Sequence, residues 1–280
     1  MRRKHALKEI TFVEFRERLA ERPVILLPLG SQEEQGPHAP MGDYMLAERV
    51  AEAVAERSSA ISAPALPFGY ADFFRPVPGG IQLRAETFTM VLEDMTTAFL
   101  DHGLDHIVVL NGHTTNAPFI EQVLRRLRRE RGVSVASINL WQVIPPDFWK
   151  QLHGSNTARA RGHGADPLTS IYLYLFPELM RMDLASPERG SHPPVRAFGL
   201  PTEGVRGVSF GGGSVQFPLE VTEVAREGII SGDPSLSRAE IGAQIVEWLT
   251  DFVSQFVAHF RECDPRNIAS EPKTNNQVRA

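Results

Sequence analysis

The chain has 280 residues, 42% of them hydrophobic and 22% charged, with a formal net charge of -5 and a pI near 6.0. That apolar fraction and small net charge exclude a chain disordered throughout, and the mild acidity argues against nucleic acid as partner, because phosphate binders carry a basic face. The one cysteine, Cys263, cannot close an intrachain disulfide, which excludes a disulfide-stapled secreted scaffold and fits a reducing cytoplasm.

The basic start, Arg2-Arg3-Lys4, precedes no apolar run of signal-peptide length. Val24 to Leu29 falls far below the roughly 20 residues that span a bilayer, so neither export nor a membrane partner is expected. Thr11 is placed to cap a short helix over Phe12 to Arg22, with Val13, Phe15 and Leu19 on its apolar side, and Pro23 breaks it. Val24 to Leu27 is a continuous apolar run, the pattern of a strand buried on both faces of a parallel sheet. A loop rich in glycine, proline and charge runs from Gly30 to Asp43. A helix over Tyr44 to Arg57, a strand over Ile61 to Leu66 and an aromatic, glycine-rich loop from Gly69 to Gly80 follow. Thr87 is the expected cap of a helix reaching His102, which Gly103 ends. Ile107 to Leu110 reads as the clearest buried strand and leads into Asn111-Gly112-His113-Thr114-Thr115-Asn116. Ala117 to Arg131 is then helical, its arginines a solvated face with salt bridges, and Val133 to Leu140 is a further strand.

Strands alternating with helices at this spacing predict an α/β fold with a doubly wound parallel sheet, whose ligand site lies beyond the carboxyl ends of the strands. The loops at 30–43 and 111–116 both sit there. Beyond them a helix starts near Asp166-Pro167, and Ser186 to Pro218 is a long irregular insertion of the kind used as a lid or an assembly contact. Gly211-Gly212-Gly213 lacks the strand-to-helix frame of a nucleotide fingerprint. Ser237 opens a last helix through about Phe260, and the polar tail beyond Glu271 is expected to be disordered. One domain over residues 1–270 accounts for the whole pattern.

Three segments concentrate reactive side chains. The first loop carries Glu33, Glu34, His38 and Asp43, and carboxylate and imidazole are ligands that zinc, manganese and iron prefer. A merely solvated polar loop is the competing reading. His113, directly after an apolar strand and inside an Asn-Gly frame, reads as functional rather than as a core histidine. In Arg161-Gly162-His163-Gly164-Ala165-Asp166 a histidine and an aspartate precede a helix; Asp166 is either a first-turn carboxylate or a ligand or proton-transfer group. Trp141, at a strand end, is placed either to stack on a planar substrate or to fill core. Cys263 has no partner histidine in a nucleophile motif and reads as structural.

Together these segments resemble the creatininase (creatinine amidohydrolase) family, which carries a Gly-Ser-x-Glu-Gln-His-Gly-Pro-His loop, an Asn-Gly-His-x-x-Asn strand end and a later His-Gly/Ala-Gly segment ending in Glu-Thr-Ser. The counterparts are Gly30 to His38, Asn111 to Asn116 and His163 to Ser170, and Gly228 to Gly242 is similar to the family's C-terminal signature. The resemblance covers residues 9–260. It implies a three-layer α/β/α fold with a mostly parallel sheet, assembled as a homohexamer. It also implies a site for one or two divalent ions, zinc first with manganese or iron as alternatives, that cleaves an amide C–N bond. Glu33 and His113 match family metal ligands. Asp43 takes the part of the family's bridging aspartate, whose own position, one residue on, holds Tyr44. His163 matches a histidine that transfers protons, Glu34 is assigned from adjacency as the base on water, and Asp166 is the acid available to a further ion. His38, Trp141 and Thr115 are assigned to the substrate. Gln35, Thr115 and Leu168 stand where the family has ligands, so a strict creatininase is not expected; the chain holds one ion, or builds a second site from His38, Asp166 and water. The expected substrate is a small planar or cyclic amide whose carbonyl the metal polarises. A catalytically altered binding or scaffold protein, and a deformylase or peptidase of the same family, are the alternatives.

Overall fold

Every residue of the strand β1 (Ile25–Leu29) is buried, as a run with no polar face requires. The computed structural model describes residues 3–185, 195–225 and 228–272. Around β1 stand α1 (Phe12–Arg18), α2 (Tyr44–Ser58), β2 (Ile61–Ser62), α3 (Ala85–Leu100), β3 (Ile107–Asn111), α4 (Ala117–Arg131) and β4 (Ala136–Asn139). Then come α5 (Pro146–His153), α6 (Thr157–Ala160), α7 (Leu168–Leu175), the short strands β5 (Arg196–Ala197), β6 (Leu200–Pro201), β7 (Gly207–Phe210) and β8 (Gly213–Gln216), α8 (Val221–Val224) and α9 (Ala239–Arg261).

The central sheet has the order β2-β1-β3-β4 and is parallel throughout. Ile25 lies opposite Ile107 and Leu29 opposite Asn111, so β1 and β3 end level with one another. Alternation along the strands divides the core in two. Leu26, Val108, Leu110 and Ile138 pack with α2, α7 and α9, while Ile25, Leu27, Ile107 and Val109 pack with Phe88, Leu92, Ile120 and Val123 of α3 and α4. The fold is therefore three-layer α/β/α, and each of these fully buried aliphatic side chains contributes about 1.5–3 kcal/mol. Pro28 sits in a central strand without a donor, but its carbonyl still accepts from Leu66 N at 3.0 Å.

Thr11 and Glu14 cap α1 reciprocally, and α4 spans the residues its pattern marks, with Arg125–Glu121, Arg126–Glu93 and Arg131–Asp101 pairs on its outer side. Several boundaries differ from expectation. The helix expected to reach Arg22 stops at Arg18, where a tighter turn, Leu19–Glu21, follows, and Arg238 rather than Ser237 caps α9. Thr87 lies inside α3, whose cap is the extended Arg84, so Glu86 joins the positively polarised first turn. The expected strand Ile61 to Leu66 shrinks to β2, with Pro64 interrupting it before a single bridge from Leu29 to Leu66. Pairing over Val133 to Leu140 is confined to β4. The described part of the insertion at Ser186 to Pro218 is not irregular: β5–β6 and β7–β8 are antiparallel hairpins, and Gly211 and Gly212, at φ 59° and 82°, turn the second. The expected disordered tail falls, from residue 273 onward, outside the described residues. No helix among the described residues is long and apolar enough to cross a membrane.

Candidate metal centre

The level carboxyl ends of β1 and β3 bring two loops together over one cavity of about 720 Å³. Glu33 comes from the loop after β1, Asp43 from the residue before α2, and His113 from the residue beyond Asn111-Gly112. Gly30 lets the loop leave β1 at all, since a Cβ there would lie 2.4 Å from the Tyr44 backbone. One donor atom from each of Glu33, Asp43 and His113 lies within 4.8 Å of the others, and all three residues are buried. Nδ1 of His113 stands 2.8 Å from Asp43 Oδ2 and 3.3 Å from Glu33 Oε1.

The remaining polar atoms of Asp43 and His113 are held by the backbone. Ser31 N donates to Asp43 Oδ1 at 2.6 Å, and His113 Nε2 donates to the Tyr70 carbonyl at 3.1 Å, with the Thr115 hydroxyl on the same carbonyl. This fixes the ring so that Nδ1 faces the carboxylates. Glu33 Oε2 is buried with no hydrogen-bond partner among the described residues. Burial pushes the Glu33 carboxyl up to about 7, with the Asp43 charge adding to it and His113 opposing, and burial pushes Asp43 up as well. Burial opposes charge on His113, but Glu33 and Asp43 outweigh it and hold the ring at about 9. Two carboxylates, one of them with an unpartnered oxygen, and an imidazole nitrogen in a desolvated pocket form a donor set that fits a divalent cation.

His163 lines the same cavity, its ring centre 4.8 Å from that of Phe74. Its Nε2 is 2.9 Å from Glu34 Oε1, and Glu34 Oε2 accepts from Gly36 N at 2.7 Å. Burial disfavours the imidazolium, yet the hydrogen bond and charge of Glu34 raise the His163 pKa overall. Glu34 is not part of the cavity wall; it lies behind His163, under Gly228, where a Cβ would come within 2.3 Å of its Oε2.

The other expected site residues divide. Trp141 borders the cavity while its indole N–H donates to the Gly112 carbonyl, and Thr115 borders it while holding the Tyr70 carbonyl. Asp166 also borders it, but stands apart from the three-residue cluster with both oxygens occupied. Oδ1 accepts from Ser170 N at 3.1 Å and Ser237 Oγ at 2.6 Å, and Oδ2 faces His153 Nε2 at 2.9 Å. That geometry is the helix-end carboxylate of the blander reading rather than a ligand. His38 is absent from the wall as well: its ring is buried, with Nε2 3.1 Å from Thr169 Oγ1, so it ties the first loop to α7. Sequence reasoning passed over Ser31 and Tyr70, which act through backbone atoms common to every residue type. It also passed over His153, although a histidine closing a helix was there to be weighed.

A buried carboxylate–imidazole cluster at the carboxyl edge of a parallel sheet defines an α/β protein with a built metal-ligand site. Comparison with known proteins gives the family: the creatininase model, described as creatinine amidohydrolase, matches residues 8–257, and the chain belongs to the creatininase family. It is 29% identical over 254 residues to the creatinine amidohydrolase of Pseudomonas putida, covering 85% of this chain and 90% of that protein. It is 28% identical over 275 residues to the 3-dehydro-scyllo-inosose hydrolase of Thermotoga maritima, covering 91% and 83%. The mycofactocin precursor peptide peptidase of Mycobacterium ulcerans is 27% identical over 253 residues, covering 83% and 84%. A creatininase crystal structure superposes with a TM-score of 0.74 at 25% identity, covering 91% of this chain and 97% of that one. A manganese form of creatininase gives 0.73 at 26%, covering 91% and 98%. The chain is an enzyme of the hydrolase class.

Proposed function

We propose that the chain is a metal-dependent amidohydrolase that cleaves a C–N bond in a small planar or cyclic amide, with one divalent ion held by Glu33, Asp43 and His113. The observation that carries this reading is the unpartnered Glu33 Oε2 beside two further buried donors. An ion bound there supplies Lewis acidity, lowering the pKa of water and polarising a carbonyl. Ser31 and Tyr70 keep Asp43 and His113 aimed without reorganisation. His163, hydrogen-bonded to Glu34 through Nε2, has its other ring nitrogen available to hand a proton to the departing amine, and Glu34 is the positioning residue that holds it. Trp141, Tyr70 and Phe74 give a planar substrate apolar faces.

One ion rather than two is supported by Gln35, Thr115 and Leu168 at the other family ligand positions and by the saturated oxygens of Asp166. Zinc is the first choice, with manganese and iron as alternatives. The creatinine amidohydrolase relative supports a cyclic amide, and the peptidase relative supports a peptide bond as the second reading. Assembly as a homohexamer and residence in the cytoplasm belong to the same proposal, supported by the family and by the lone Cys263. Elemental analysis of the purified protein beside Glu33→Gln and His113→Ala is the test. About one equivalent of metal in the parent, lost in both variants, is expected. A parent that stays metal-free and takes up no added zinc overturns the reading.

A further inference from the structure

The cavity wall away from the metal cluster carries two arginines, Arg161 and Arg206, and neither forms an ion pair among the described residues. The acids of the same wall are engaged: Asp72 with Arg75, Glu220 as the cap of α8, and Asp166 by three donors. Arg159, two positions before Arg161, is paired with Asp233 at 2.6 Å. The Arg161 guanidinium instead lies over the fully buried Trp149 ring, with its carbon 4.6 Å from the ring centre. Arg161 is exposed over part of its surface, the desolvation of the rest pushes its pKa down, and no anion among the described residues pairs with it. Arg206 precedes β7 and is exposed at the mouth. A planar fork of donors, held over an indole in the wall of a cavity, matches the two oxygens of a carboxylate.

We propose that the substrate is an amide carrying a carboxylate, which Arg161 receives through two parallel hydrogen bonds while Arg206 adds positive charge at the entrance. The proposal rests on the hydrolase reading above and narrows it: carboxylated lactams and N-acyl amino acids are ligands, and their neutral counterparts are poor ones. A lysine in place of Arg161 keeps the charge but, as a point donor, loses the second hydrogen bond. Nothing in this recognition passes through Glu33, Asp43 or His113, so it is separable from metal binding.

Calorimetric titration of the zinc-supplemented protein with two matched pairs tests it: pyroglutamate against 2-pyrrolidinone, and hippurate against N-methylbenzamide. The parent is expected to bind the carboxylated member of each pair at least about tenfold more tightly. Arg161→Gln removes that preference and leaves the neutral ligands unchanged, Arg161→Lys restores part of it, and Arg206→Gln weakens it by a few-fold in a salt-dependent way. Metal content and thermal midpoint, measured on each variant, stay at the parent's values. Equal binding of both members by the parent, no binding of either carboxylated ligand, or a preference that survives in Arg161→Gln overturns the proposal. Failure of the hydrolase reading shows separately, as a metal-free parent, and the carboxylate preference is still read on that protein.

Discussion

Two buried acid–histidine groupings border the same cavity, and they are built to opposite specifications. In Glu33, Asp43 and His113 the donors outnumber their partners: Glu33 Oε2 has none, and the three side chains face one another across less than 4.8 Å. In Asp166 and His153 every carboxylate oxygen is engaged, by Ser170 N, Ser237 Oγ and the imidazole itself. Both set carboxylate against imidazole with the side chains out of solvent, two carboxylates in the first and one in the second. Whether any oxygen remains to be satisfied is what separates a site that receives a cation from a joint that fastens α5 and α9 to the start of α7.

The sharpest way to break this contrast is a pair of substitutions. Asp43→Ala is expected to lose the bound metal entirely and with it at least about a thousandfold in turnover, whereas Asp166→Ala keeps its metal equivalent by plasma mass spectrometry. Retention of metal by Asp43→Ala, or its loss from a folded Asp166→Ala, would erase the distinction. Asp166→Ala carries its effect into stability instead. Freeing Ser170 N, Ser237 Oγ and His153 Nε2 in a buried position lowers the unfolding free energy by about 3 kcal/mol in urea titration.

A third histidine sharpens the comparison through pH. Burial lowers the His38 pKa to about 4, and among the described residues no carboxylate is bonded to it. The folded ring therefore stays neutral where an unfolded one, near pKa ~6.5, takes up a proton. Its contribution is complete above about pH 6.5 and is lost as pH falls toward 4, up to about 3 kcal/mol by linkage. Denaturant unfolding between pH 4 and 7 is expected to show a shallower acid loss in His38→Asn than in the parent. Parallel pH profiles would show that the buried ring does not titrate apart. The smallest effect is at Thr115, whose hydroxyl shares the Tyr70 carbonyl with His113. Thr115→Val weakens zinc affinity by about tenfold, read by competition with a chelator, with stoichiometry unchanged.

The sheet and the cluster were legible for a shared reason. A strand buried on both faces leaves an unbroken apolar run, and the polar loop that ends such a run must lie at the sheet's edge, so Val24 to Leu27 and Ile107 to Leu110 pointed to the loops at 30–43 and 111–116, within which the family resemblance singled out Glu33, Asp43 and His113. The role of Asp166 was not legible, because the donors that saturate it lie 13 and 71 positions away and in its own following turn. His38 misled for the same reason: a histidine in a polar loop looks accessible until α7 covers it. The hairpins β5–β6 and β7–β8 hid behind glycine and proline, since strands of two and four residues are too short for alternation to register. Arg161 drew no notice beside His163, because only the folded chain lays it on Trp149.

The level ends of β1 and β3 have a thermodynamic consequence. Glu33 and His113 are far apart in sequence, and their donors meet only when Leu29 stands opposite Asn111. A random coil offers no such meeting point, so a divalent ion distinguishes the native chain from every other conformer. By mass action each tenfold rise in free ion above the dissociation constant adds about 1.4 kcal/mol to the unfolding free energy. With the proposed ion site, the melting temperature is expected to rise with metal supply, and the register of two buried strands is what calibrates it.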